Sequence, residues 1–390
     1  MANGRLYFDY NATAPLLPAA QSAMVDAMAL PGNPSSVHAE GRRSRAVVSK
    51  ARESVARLCG VPAAQIVFCS GATEAANHVL TPDFRMGRSP VRVSRLFVSA
   101  VEHPAILEGG RFSAGQITVL PVDSDGRLDL TALAEALAGH DQASGQAMLG
   151  LQLANNETGV IQPVRTASDI VKAHHGLVVV DAVQGAGRLT LSLEEFGADF
   201  MIVSGHKIGG PKGIGALVCA GEILMPVPLV RGGGQEKGHR GGTENLVCIA
   251  GFGAAAEIAR EALSDAKHIE GLRDRLEAGM RDLASDVIVH GDSVDRLANT
   301  SFFSLPGLKA ETAQIAFDVE GVAVSAGAAC SSGKIGQSHV LSAMGADAAL
   351  GAIRVSLGRE HTQNDVERFL QAFNVINTRR LARNKAAVAA

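Results

Sequence analysis

Residues 177–207 read LVVVDAVQGAGRLTLSLEEFGADFMIVSGHK. Leu177-Val178-Val179-Val180 is apolar at consecutive positions, as a strand buried on both faces must be, and it ends on the carboxylate of Asp181. Phe200-Met201-Ile202-Val203 repeats the pattern and ends on Ser204-Gly205-His206-Lys207. Working outward, short apolar runs at 65–69, 95–99, 116–120, 147–153 and 215–219 alternate with helix-length amphipathic segments. That alternation predicts an α/β fold with a mainly parallel sheet.

The strand ends carry the polar residues. Ser70-Gly71-Ala72-Thr73-Glu74, Glu102-His103-Pro104 and Asn155-Asn156-Glu157-Thr158-Gly159 join Asp181-Ala182-Val183-Gln184 and Ser204 to Lys207 in this arrangement. Ligands of open α/β sheets bind outside the carboxyl ends of the strands, so these clusters predict one site built from convergent loops. Past the Gly/Arg-rich stretch 231–242 the texture changes. A long Ala-rich helical pattern covers 246–283, followed by strands near 300–304, 322–325 and 352–357 and helices near 310–319 and 364–376. This alternation reads as a smaller α+β domain, and the tail 379–390 reads as a frayed terminus.

Composition narrows the function. Lys and Arg number 36 against 39 Asp and Glu, a formal net charge of -3 across 390 residues, so no global field draws in nucleic acid or an anionic membrane. No segment approaches the length of a membrane span and residues 1–10 hold no apolar stretch of signal-peptide length, so a cytoplasmic location is expected. Five cysteines without a C-x-x-C pair fit neither a disulfide framework nor a structural zinc site, and no metal is expected. The absence of Trp and the presence of only two Tyr argue against a base-stacking platform.

Lys207, flanked by glycines at a strand end, is the residue type that forms Schiff bases when withdrawn from water. Lys212, deeper in the same loop, is assigned no role. Asp181 either caps the following segment or pairs with a cationic pyridine nitrogen, as pyridoxal phosphate chemistry requires. The 70–74 segment offers helix-start amides and the Thr73 hydroxyl to an anion, or else is a Thr N-cap followed by a helix-start glutamate. Cys330 stands among small residues in Ser325-Ala326-Gly327-Ala328-Ala329-Cys330-Ser331-Ser332-Gly333-Lys334, a setting for an accessible thiol or for a tolerated loop cysteine. The other four cysteines read as small buried hydrophobes. Arg354, among apolar residues, calls for an anion, either a ligand carboxylate or a neighbouring acid.

Together these residues resemble the cysteine desulfurases, pyridoxal-phosphate enzymes of the class V aminotransferase group. The resemblance also covers Phe8-Asp9-Tyr10-Asn11-Ala12-Thr13, Gly32-Asn33-Pro34-Ser35-Ser36, Arg240-Gly241-Gly242-Thr243 and Arg354-Val355-Ser356-Leu357-Gly358-Arg359. It implies fold type I, with a large cofactor-binding domain over 14–244 and a small domain from 1–13 and 245–390 that carries the cysteine loop at about 325–338. It implies that Lys207 holds the cofactor and moves the Cα proton while His103 stacks on the ring. Asp181 would hold the ring nitrogen and Gln184 the ring oxygen. Ala72, Thr73, Ser204 and His206 would hold the phosphate with Thr243 of a second subunit. Asn33, Asn156 and Arg354 would bind substrate, Asn156 also touching the cofactor. Cys330 would take sulfur from L-cysteine as a persulfide, leave alanine, and pass the sulfur to an acceptor or iron–sulfur scaffold protein. The spacing from Cys330 to Arg354 resembles the longer-loop, nitrogen-fixation and iron–sulfur-assembly branch. Ala326 and Ala328 depart from the serines common there. A selenocysteine lyase or another class V enzyme shares Lys207, Asp181 and Arg354. A non-enzymatic carrier of sulfur on Cys330 has no residue that favours it.

Overall fold

The computed structural model describes residues 4–327 and 337–389. Its large sheet has nine strands. The central run is parallel: Ile117–Leu120, Ser89–Ser99, Gln146–Gln152, Leu177–Asp181 and Phe200–Ser204 lie side by side in that order. Beyond Ser204 the sheet turns antiparallel through Gly215–Cys219 and Ile66–Cys69. The chain between Ser204 and Gly215 is a short Gly-rich turn, too short for the crossover that a parallel neighbour needs. It therefore leaves Ser204 directly opposite Gly215.

Apolar strand residues fill a core on each face of this sheet, one including Leu149, Leu151, Val178 and Val180 and the other Met148, Val179 and Ile202. Successive residues of Leu177–Asp181 thus enter opposite cores, which is why the run reads as continuously apolar. The sequence reading misses the hairpin arm Asp83–Met86 and the edge strand Leu224–Pro226, which pair antiparallel and are mostly exposed at Asp83–Met86. Polar, proline-containing edges lack the apolar pattern that marks the centre.

A second sheet of Ile288–Val289, Thr300–Ser304, Ile353–Ser356 and Ser325–Ala326 is antiparallel throughout. Its core stacks Phe317 on Phe369 at 5.2 Å between ring centroids and sets Phe303 edge-on to Phe373. Leu6–Tyr7 pairs with Val322–Ala323, so the N-terminal segment joins this second core before crossing to the large sheet at Asn11.

Two expectations change. The pattern over 246–283 is two helices, Leu246–Glu261 and Ala266–Leu283, joined by a tightened turn at Ala262–Asp265. The tail is not frayed from residue 379: the last helix runs from Gln363 to Ala389. Arg380 is buried on it, bonded to Asp286 and to the Pro306 carbonyl at 2.7 and 2.6 Å. A basic stretch that looks solvated in sequence is docked because the fold brings an acid and a bare carbonyl to it.

Candidate active site

The five strand-end clusters meet. They line one cavity of about 530 Å³ with Ala72, Thr73, His103, Asn156, Asp181, Gln184, Ser204, His206 and Lys207 on its walls. Lys207 Nζ donates to the carbonyls of Asn11 and Ala12 at 2.6 and 2.9 Å, held up from the turn that follows Ser204. Asp181 faces it across the cavity. Burial raises the Asp181 carboxyl to about 6, against the opposing pull of the Val183 amide bond and of Lys207. Asp181 Oδ1 also accepts from Val183 N at 2.9 Å, a local cap on the turn that follows the strand; no helix begins there.

The helix Ala72–Val79 starts at Gly71, which has no side chain to cap it. Thr73 is therefore not the N-cap. Its first-turn amides are left for another acceptor, and Glu74 instead reaches back to Ser70 N and out to Arg240. Gly215 lies against Gly71 so closely that a Cβ on it would stand 2.8 Å from the Gly71 carbonyl carbon. A side chain at Gly215 would push the helix start off the sheet.

His103 caps the helix Pro104–Leu107, its Nδ1 accepting from Ala105 N at 3.1 Å. Burial, with Lys207 and His339 nearby, holds this imidazole down to about 4. It is neutral at physiological pH, with Nε2 carrying the proton. His206, Nδ1 to Thr13 Oγ1 at 3.2 Å, is likewise pushed down to about 4 by burial and by Lys207 and Lys212.

Three expected residues stand outside the cavity wall. Asn33 is exposed, folded onto its own turn by a bond to Ser35 N. Thr243 is exposed and lines a smaller adjoining pocket of about 200 Å³ that shares Ser70 and Gly213 with the main one. Arg354 is 1% exposed and bonds the Asn156 carbonyl and Asp9 Oδ1, both at 2.8 Å. Pairing with an acid, the alternative left open by sequence, is thus realised through Asp9. Cys330 lies outside the described residues. Cys59, Cys69 and Cys219 are buried, and desolvation pushes each thiol up to about 12, as inert core cysteines require.

Sequence reasoning missed several contributors. Lys212 lines the cavity although it was given no role, and so does Gln152. Asn11 supplies the carbonyl that Lys207 shares with Gln184 Nε2. Only the fold brings that N-terminal residue here. Glu102 is fully buried, accepting from Gln152 N at 3.0 Å through Oε1 while Oε2 has no hydrogen-bond partner among the described residues. Burial raises its carboxyl well above the ordinary range, and Asp181 adds to the shift. The folded chain keeps that proton while the unfolded chain releases it, so this group lowers stability as pH rises above the ordinary value of about 4. Glu102→Gln is accordingly expected to gain stability relative to the wild type between about pH 5 and about pH 7 in urea unfolding. A flat difference would show that the fold does not hold the Glu102 carboxyl protonated.

Comparison with known proteins agrees with this geometry. Residues 6–369 match the family described as aminotransferase class-V. The chain is 36% identical to an IscS-like cysteine desulfurase of Mycobacterium tuberculosis over 94% of both chains. It is 39% identical to a cysteine desulfurase of Cereibacter sphaeroides, again over 94% of both. Among solved structures it superposes on a NifS-like protein of Rickettsia africae with a TM-score of 0.84 at 32% identity, covering 96% of this chain and 99% of that one. A carboxylate, a lysine, a neutral imidazole and an uncapped helix start around one cavity suit a phosphorylated pyridine aldehyde, and the chain belongs to the class V aminotransferase family of pyridoxal-phosphate enzymes.

Proposed function

We propose that this chain is a cysteine desulfurase, converting L-cysteine to L-alanine and carrying the released sulfur on Cys330. The observation that carries the reading is Lys207 facing Asp181 within one cavity, beside an uncapped helix start at Ala72 and Thr73. Bound pyridoxal phosphate supplies an electron sink for the pair left at the substrate Cα. Asp181 holds the ring nitrogen, and the neutral His103 covers the ring without adding a charge. The amides and hydroxyl of Ala72, Thr73, Ser204 and His206 hold the phosphate. Lys207 Nζ anchors the cofactor and then shuttles the Cα proton, while Asn156 and Arg354 orient the substrate carboxylate, Arg354 exchanging Asp9 for it. The thiolate of Cys330 takes the sulfur as a persulfide for an acceptor protein of the iron–sulfur assembly type. Asn33 completes the substrate contacts in this reading.

The proposed division is 14–244 as cofactor domain with 1–13 and 245–390 as the second unit; two separate apolar cores support it, except that the helix Leu246–Glu261 packs Ile249, Phe252 and Ala255 into the core of the large sheet. No described helix is long and apolar enough to cross a membrane, and the reading includes a cytoplasmic location. The experiment is direct. The purified protein should show a visible cofactor band and release alanine and sulfide from L-cysteine, with sulfide yield rising with a scaffold protein and a reductant. A colourless protein, unreconstituted by added pyridoxal phosphate, would overturn the reading.

The same reading makes the enzyme a homodimer in which Thr243 serves the partner's phosphate. Arg240 is committed to Glu74 of its own chain, whereas Thr243 is exposed and outside its own main cavity. Light scattering should give a dimer, and Thr243→Ala should weaken cofactor retention several-fold without altering the mass. A fully loaded, active monomer excludes it.

A further inference from the structure

Arg188 is a guanidinium placed where a charge is costly. It follows the Asp181 strand, and its Nη1 donates to both the carbonyl and the side-chain Oε1 of Gln184, the former at 2.9 Å. No carboxylate pairs with it among the described residues. Desolvation pushes it down to about 10, and Arg354 adds to the shift. A half-buried cation whose hydrogen bonds among the described residues all go to one neutral residue gains little stability there, so its position calls for a further use.

The bond pattern supplies one. Gln184 is buried, and an amide offers one acceptor end and one donor end. Arg188 occupies the acceptor end, so the donor end, Nε2, must point the other way. There it meets the Asn11 carbonyl at 3.1 Å, the same carbonyl to which Lys207 Nζ donates at 2.6 Å. The donating face of Gln184 and the lysine amine are therefore aimed at one spot on the cavity wall. Rotating the amide by half a turn would present Oε1 there and set an amide N–H against a guanidinium, which has only donors.

We propose that Arg188 is a positioning residue: it locks Gln184 so that an N–H, never a C=O, meets the cofactor ring oxygen beside Lys207, and its charge favours that oxygen in ionised form. This rests on the cofactor reading above. An amide N–H donated to the ionised ring oxygen and a cation behind it both offset the negative charge that otherwise holds a proton on the nearby nitrogen of Lys207. The groups that share this field are Asp181, His103, His206 and Lys212 on the cavity wall, Arg354, and across a small second cavity Arg359 and Glu360. None of them bonds the Gln184 amide among the described residues.

The test is the visible band of the holoenzyme, titrated with pH without substrate. Arg188→Met is expected to raise the pH midpoint of the band change by on the order of one unit, while Arg188→Lys, which keeps a cationic donor, stays near the wild type. In a Gln184→Met background, the Arg188→Met shift should shrink by more than half, because the effect runs largely through the amide. A merely structural arginine would lower the unfolding temperature or cofactor occupancy in Arg188→Met and leave the midpoint of the loaded fraction unmoved. That result overturns the proposal. If Arg188→Met does not fold, Arg188→Gln, which can still hydrogen-bond but carries no charge, must give an upward shift for the proposal to stand. A wild-type protein without any visible band would instead sink the cofactor reading itself, so the two failures are distinguishable.

Discussion

Lys207→Ala is expected to abolish turnover, by about 10³-fold or more, and to leave pyridoxal phosphate held loosely enough to wash out on gel filtration. Two losses combine. The amine is the covalent anchor, and the remaining contacts from the Ala72 helix start, Ser204 and Asp181 are noncovalent. It is also the base nearest the substrate Cα, and a positioned proton carrier alone is worth roughly 10²–10⁴-fold. No other group on the wall can replace it. His103 is held neutral down to about pH 4 and has Nδ1 committed to Ala105 N, and Lys212, although it lines the same cavity, is exposed to solvent. The fold itself should survive, because truncation leaves the Asn11 and Ala12 carbonyls that Lys207 holds to water in the cavity. Retained turnover with L-cysteine, or a cofactor band that resists gel filtration, would move the anchor elsewhere and reopen the assignment of Asp181 as well.

The same site shows which residues a sequence discloses. Asp181 and Lys207 are legible because each ends a continuously apolar run, and such a run has only one sheet-end at which a charge can stand. Thr73 is legible as part of a strand-to-helix turn, although its role as cap passes to Gly71, whose backbone conformation no pattern reveals. Asn11, by contrast, lies in a two-residue strand's exit, pairs across to Thr300 at 2.9 Å, and serves Lys207 through a carbonyl that every residue type possesses. Nothing in side-chain chemistry could mark it. Glu102 was named as part of a polar cluster, yet its complete burial follows from Gln152 and Asn155 closing over the Val101 carbonyl beside it. The hairpin arm Asp83–Met86 escaped because exposure removes the apolar run that identifies a strand, the three-residue Leu224–Pro226 because it is too short to show one, and the docked tail because its partner, Asp286, is 94 residues away in the chain.

Cys330→Ala should separate the two halves of the chemistry. Cofactor colour, cofactor affinity and exchange of the substrate Cα hydrogen with solvent should persist, while sulfide and persulfide from L-cysteine fall to background. Proton removal at Cα needs Lys207 and the bound cofactor, both untouched by the substitution. Cleaving the C–S bond needs a thiolate to attack the substrate sulfur: a new S–S bond forms, the C–S electron pair stays with the carbon fragment, and that fragment takes up protons and leaves as alanine. The described residues on either side of the cysteine segment lie near the residues assigned to the substrate carboxylate. On one side Ser325 pairs in register with Arg354, and on the other Ser338 Oγ donates to Glu157 Oε2 at 2.7 Å, one residue from Asn156. Both departure points therefore adjoin the residues assigned to the substrate carboxylate. None of the other cysteines can substitute, since Cys59, Cys69 and Cys219 are buried with thiols held near 12 and Cys248 is also pushed upward by desolvation. Hydrogen exchange at Cα without sulfur release is the expected signature, read by proton NMR in deuterated buffer alongside a sulfide assay. Wild-type sulfide and alanine from the Cys330→Ala enzyme would make Cys330 a bystander and require a lyase route in which the sulfur leaves without a protein nucleophile.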